Sequence, residues 1–150
     1  MYKKILVPLD GSPFAECVLE HVKNMTVGKQ IPEVVLVFVV EPINKGVYDM
    51  PENTLADIQK QSESASEEYL KNTAAKLAAD GIPAAWAVLH GDIAEAILDY
   101  AGKNKVDLVI MSTHGLSGVS RWAMGSVAYR VARQVTVPVM LVAPPDCRIA

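Results

Sequence analysis

Cysteine is scarce: Cys17 and Cys147 are the two in this chain of 150 residues, far apart and without the spacing of a metal site or a disulfide framework. A reducing, cytoplasmic setting is the expectation that follows. Long apolar runs are missing as well. No stretch approaches the roughly 20 consecutive apolar residues of a membrane-spanning helix, so none is expected. Lys3 and Lys4 precede an apolar run, as in a secretory signal, but Pro8, Asp10 and Gly11 cut the run short and it reads as a strand. Basic charge is also in short supply. Fourteen Lys and Arg face 17 Asp and Glu, a formal charge of -3, which disfavours sequence-independent binding to nucleic acid. Hydrophobic residues, by contrast, make up 51% of the chain, enough for one buried core at the commonest domain size, so residues 1–150 are expected to form a single domain.

The apolar residues come in short blocks. Residues 4–9, Lys-Ile-Leu-Val-Pro-Leu, form a nearly continuous apolar run that stops at Asp10-Gly11-Ser12-Pro13, as a strand buried on both faces does. Ser12 followed by Pro13 is a helix-start signal, because the hydroxyl accepts from orphan amides and proline at the first helical position sacrifices no bond. That helix is expected to run to about Val27, with Gly28 as its stop and Phe14, Cys17, Val18, His21, Val22 and Met25 along its inward stripe. Residues 34–40 are too β-branched for anything but a central strand. A Pro-, Gly- and Asn-punctuated connection over 42–54 precedes a long polar helix over about 55–79, ended by Gly81. A third strand is expected over 82–89. Asp92 with Glu95 opens a helix that Gly102 closes, and a fourth strand spans 106–111. A last helix covers 126–134 and a fifth strand 138–142. Alternation of strand and helix implies a doubly wound, five-stranded parallel sheet, Rossmann-like, with strand order 3-2-1-4-5 and helices on both faces. Ligands of such sheets lie beyond the carboxyl ends of the strands, at the switch point.

The fourth strand ends in Ser112-Thr113-His114-Gly115, and the chain then continues through glycine and hydroxyl residues to Gly125-Ser126 just before a helix. Glycines let backbone amides close on an anion, Ser126 adds a hydroxyl, and a helix N-terminus offers unpaired amides and a favourable dipole. These features describe a phosphate cradle; the same glycines also serve as plain turn formers. Asp10, ending the first strand, faces this loop across the crevice, where it either accepts from a ribose or adenine group or caps the first helix. His114 is placed for a phosphate or ribose contact or for a bond within the loop, and Arg121 for a terminal phosphate or for solvent. His21 and His90 read as packing and turn residues, and Trp122 and Met124 as loop packing.

Val7-Pro8-Leu9-Asp10-Gly11-Ser12, followed by Ser112-Thr113-His114-Gly115, nine residues, and Gly125-Ser126, resembles the universal stress protein family over essentially the whole chain. ATP-binding members of that family carry Gly, two residues, Gly, nine residues, then Gly-Ser or Gly-Thr. Gly115, Gly125 and Ser126 fill the last three fixed positions, and Ser112 stands at the first. The resemblance implies an ATP-binding regulatory protein of the stress response, with or without Mg2+, with slow or no hydrolysis. It implies that Pro8 and Asp10 meet the adenosine, that Val39 lines the adenine pocket and that Val127 follows Ser126 onto the phosphates. It also points to a homodimer, in line with the charge-free fifth strand at a sheet edge.

Other nucleotide and hydrolase signatures are absent. The turn after the first strand holds Gly11 alone, although Glu41 supplies the acid that a dinucleotide site has at the end of its second strand. The glycine loop holds no lysine of a P-loop, which argues against fast phosphoryl transfer. A phospho-receiver needs an aspartate after the third strand and a lysine after the fifth, where His90-Gly91 and Ala143-Pro144-Pro145 stand, and no G-x-S-x-G elbow occurs. A stress-type scaffold acting through protein contacts alone is the alternative class.

Overall fold

Five short apolar runs become the five strands of one parallel sheet in the computed structural model, which describes residues 1–26, 28, 30, 32–47, 49–115 and 124–144. In chain order the elements are β1 (Lys4–Leu9), α1 (Pro13–Glu16), α2 (Leu19–Met25), β2 (Glu33–Val40), α3 (Glu52–Ala79), β3 (Ala84–His90), α4 (Ile93–Lys103), β4 (Leu108–Ser112), α5 (Ser126–Gln134) and β5 (Val139–Val142). The strands lie in the order β3-β2-β1-β4-β5, the doubly wound arrangement that the alternation of strand and helix implies. β1 runs beside β2 with Ile5 opposite Val34 and Leu9 opposite Phe38, and beside β4 with Leu6 opposite Val109.

The two-residue period of a strand divides the core into two layers. Ile5, Val7, Val34, Leu36, Leu108 and Ile110 pack on one face with Val18, Val22, Leu70 and Leu77 from α2, its N-terminal cap and α3. Leu6, Val35, Val37, Val109 and Met111 pack on the other with Ala94, Ile97, Ala128 and Val131 of α4 and α5.

Several boundaries differ from the expected ones. The first helix does not continue from Pro13 to Val27: it ends at Glu16, with Cys17 as its cap, and resumes at Leu19. The chain tightens there through a bond from the Val18 amide to the Ala15 carbonyl at 3.5 Å, three residues back, before Val22 restores the helical spacing on Val18 at 3.0 Å. α2 closes at Thr26, whose hydroxyl bonds the Lys23 carbonyl at 2.8 Å, and Val27 lies outside the described residues. α3 starts at Glu52, after Pro51, three residues earlier than expected. Gly102 lies inside α4; Asn104 closes it instead, with both its amide and its side chain on the Tyr100 carbonyl at 3.0 and 2.9 Å. β3 and β4 each begin two residues later than expected and β5 one later.

Asp107 ties the start of β4 to the start of β1. Its two oxygens accept the backbone amides of Lys3 at 2.8 Å and Lys4 at 2.9 Å. Desolvation pushes this carboxyl upward, and the Lys3 and Lys4 amides outweigh it, so its pKa lies below the usual value. A carboxylate depressed on folding stabilises the fold above its unfolded pKa of about 3.9, and the contribution disappears as pH falls through the lower folded value. Asp107→Asn is therefore expected to cost about 1 kcal/mol at neutral pH and to have a smaller cost below about pH 3. Urea unfolding of both proteins across that range checks it; a cost independent of pH would contradict the assignment.

Candidate functional site

The carboxyl ends of β1, β2 and β4 open onto one cleft of about 300 Å3, on the side of the sheet covered by α4 and α5. Pro8, Asp10, Val39, Ser112, His114, Gly115, Gly125, Ser126 and Val127 all line it, so the structure brings together nine of the ten residues singled out in the sequence. Arg121 lies outside the described residues.

Asp10 is fixed by the turn that follows β1. One carboxylate oxygen, Oδ1, accepts the Ser12 amide at 2.9 Å and the Ser12 hydroxyl at 2.6 Å, while Ser12 Oγ accepts the Ala15 amide at 3.1 Å. Ser12 thus caps α1, and Asp10 orients the cap. Gly11 takes φ +83 between them, a left-handed conformation in which a side chain is strained. The other oxygen, Oδ2, faces Gly115: a Cβ on residue 115 would run into it.

The loop after β4 is organised by its own polar groups. Ser112 Oγ accepts the His114 amide at 3.2 Å, and Thr113 Oγ1 shares a 2.8 Å hydrogen bond with His114 Nδ1. His114 is buried, and this partner is a side chain of the loop rather than its backbone. Gly125 returns to the loop, donating its amide to the Thr113 carbonyl at 2.7 Å. Its φ of -57 is open to any residue, so space and not backbone conformation demands glycine: a Cβ would stand 2.7 Å from the Thr113 carbonyl oxygen. Gly125 is also the cap of α5, with no side chain among the described residues closing that end, so the helix points amides and the positive end of its dipole into the cleft beside Ser126 and Val127.

The opposite wall is apolar. Ile93 and Ile97 of α4, Met111 of β4, Val39 and Val127 line it together, and Glu41 follows just beyond Val39. Arg130 on α5 braces this wall from outside, bonding Asp92 Oδ1 at 2.8 Å. The Glu95 amide and then the Arg130 guanidinium hold the Asp92 carboxyl below its usual pKa. Among the described residues the cleft is lined by two carboxylates, Asp10 and Glu41, and by no lysine or arginine, and no group of His, Cys, Asp and Glu is placed to hold a metal ion.

Glu41, which the sequence offered only as the acid of a dinucleotide site, and Ile93, Ile97 and Met111 are lining residues not singled out for this site. Strand period was an available signal for two of them. Val37, Val39 and Glu41 are spaced by two, as are Val109 and Met111, so the face that carries Val39 and Leu6 fixes theirs.

Comparison with known proteins agrees with this fold. The profile of the universal stress protein family matches residues 1–143, and the chain belongs to that family. Universal stress protein MJ0577 of Methanocaldococcus jannaschii is 31% identical over 95% of this chain and 95% of its own. A solved structure of MJ0577 superposes with a TM-score of 0.87, at 29% identity, over 97% of this chain and 99% of its own. Universal stress protein MJ0531 of the same organism is 30% identical over 97% of this chain and 84% of its own. The fold also recurs in an Arabidopsis thaliana family member with AMP bound, at 18% identity and TM-score 0.65 over 95% of this chain and 92% of that one. It recurs again in a universal stress protein in complex with cAMP, at 19% identity and TM-score 0.60 over 95% and 98%.

Proposed function

We propose that this protein binds ATP, with or without Mg2+, in the cleft beyond β1, β2 and β4, and acts as a cytoplasmic regulator in a stress response. The observation that carries the reading is the pairing of an apolar wall, Val39 with Ile93 and Ile97, with a glycine-lined end where Gly115 and Gly125 leave no room for side chains and α5 directs its amides inward. AMP and cAMP in two proteins of the same fold are consistent with an adenine nucleotide. Ser112, at the position of the family's first glycine, turns its hydroxyl to the His114 amide, so it holds the loop together. With no lysine or arginine among the described lining residues, the site favours holding the nucleotide over rapid phosphoryl transfer.

A thermal shift tests the reading. Ligand at 100 times its dissociation constant stabilises by about 2.7 kcal/mol, several degrees in a domain of this size. Millimolar ATP with Mg2+ is expected to give that shift and GTP a smaller one. No shift with ATP sinks the proposal.

Assembly belongs to the same reading: β5, an edge strand of four residues, Val139–Val142, has no charge and, among the described residues, leaves one row of backbone groups without a strand beside it. An isologous antiparallel pairing of two β5 strands covers both rows. Light scattering at micromolar concentration is expected to return twice the 16.2 kDa of the chain. A return of the single mass contradicts it.

A further inference from the structure

We infer that Glu41 selects the base of the bound nucleotide, its carboxylate accepting a hydrogen bond from the exocyclic 6-amino group of a purine; the inference rests on the nucleotide reading above. Glu41 is exposed, lines the cleft and makes no hydrogen bond or ion pair among the described residues, so the fold makes no use of its charge. Asp10 is different, since the Ser12 amide and hydroxyl already engage it.

Position across the sheet assigns the role. From β2 through β1 to β4 the cleft presents Val39 and Glu41, then Asp10, then the loop from Ser112 to Gly115 with Gly125 beside it. Neighbouring strands lie about 4.8 Å apart, so β2 and β4 are about 10 Å apart, a span that a nucleotide bridges from base to phosphate. With phosphate at the glycine end, the sugar falls over β1 and the base over β2. Val39, Ile93 and Ile97 offer apolar contact to a ring face there, and Glu41 is the polar side chain at that end of the described cleft wall.

A carboxylate accepts hydrogen bonds and donates none, so it pairs with a 6-amino group and repels a 6-oxo group. A base that covers Glu41 without a donor leaves a charge desolvated and unpaired, and sites of this kind reject analogues lacking the matching group.

The test compares ATP with purine riboside 5′-triphosphate, which carries hydrogen at the 6 position, by calorimetry on the parent and on Glu41→Ala. The parent is expected to bind ATP at least about tenfold more tightly than the analogue, and Glu41→Ala to bring that ratio close to one. A parent that binds both equally, or a ratio that Glu41→Ala leaves unmoved, overturns the role of Glu41 while nucleotide binding stands. A parent that binds neither overturns the nucleotide reading and this inference with it.

Discussion

Gly125→Val is expected to weaken ATP binding by at least about a hundredfold, because it moves the loop and the start of α5 together. The new Cβ would meet the Thr113 carbonyl oxygen at 2.7 Å and the His114 Cα at 3.7 Å. Both are main-chain atoms, so no side chain can swing aside, and the contact is relieved only by drawing Gly125 and Thr113 apart. That strains the bond from the Gly125 amide to the Thr113 carbonyl and shifts the capping position of α5. Overpacking of this kind costs about 1–3 kcal/mol of stability, less than a typical domain possesses, so the chain stays folded. Calorimetry with ATP reads the binding and urea unfolding reads the stability. A folded Gly125→Val protein with parental affinity would remove the phosphate end of the cleft from the proposed site.

Ile110→Ala is expected to do the reverse, lowering stability by about 2–5 kcal/mol with little effect on affinity. Ile110 is fully buried on β4, in the layer that faces α2 and α3, whereas the cleft opens on the α4 and α5 side. Removing its outer carbons leaves a cavity against Ile5, Val7 and their neighbours and leaves Met111, which lines the cleft, in place. In a domain of this size the melting temperature falls by about 5–15 °C. Denaturant unfolding and calorimetry below the lowered midpoint check the two halves of the expectation; a comparable loss of affinity would show that the two faces are mechanically linked.

Much of this arrangement is legible in the sequence, for reasons that differ along the chain. β1 and β2 are read correctly to within a residue because buried parallel strands are nearly continuous apolar blocks with polar or proline punctuation. α5 is read correctly at both ends, since the Gly125-Ser126 step marks its start. Asp92 signals the start of α4 through a side chain that does bond the Glu95 amide at 3.0 Å. The end of α4 was misread because a glycine within a helix looks like a stop, whereas the Asn104 side chain performs the closure and Lys105 takes the left-handed conformation, φ +54, that glycine usually fills. The break between α1 and α2 is set by backbone tightening around Val18, which has no residue signature. Asp10 and the glycines stand out by residue type and spacing. Ile93, Ile97 and Met111 look like any core residues until the strand order says which layer meets the cleft.

The approach of Asp10 to Gly115 has a consequence for how such chains diverge. The two positions are 105 apart in sequence, yet any side chain at 115 meets the Asp10 carboxylate and requires it to move. Alanine at 115 displaces the Asp10 carboxylate or calls for a shorter residue 10, and either change disturbs the bonds by which residue 10 braces Ser12 at the start of α1. The two sites are therefore coupled across lineages, so a relative that carries a side chain at 115 should also reveal a different way of starting its first helix.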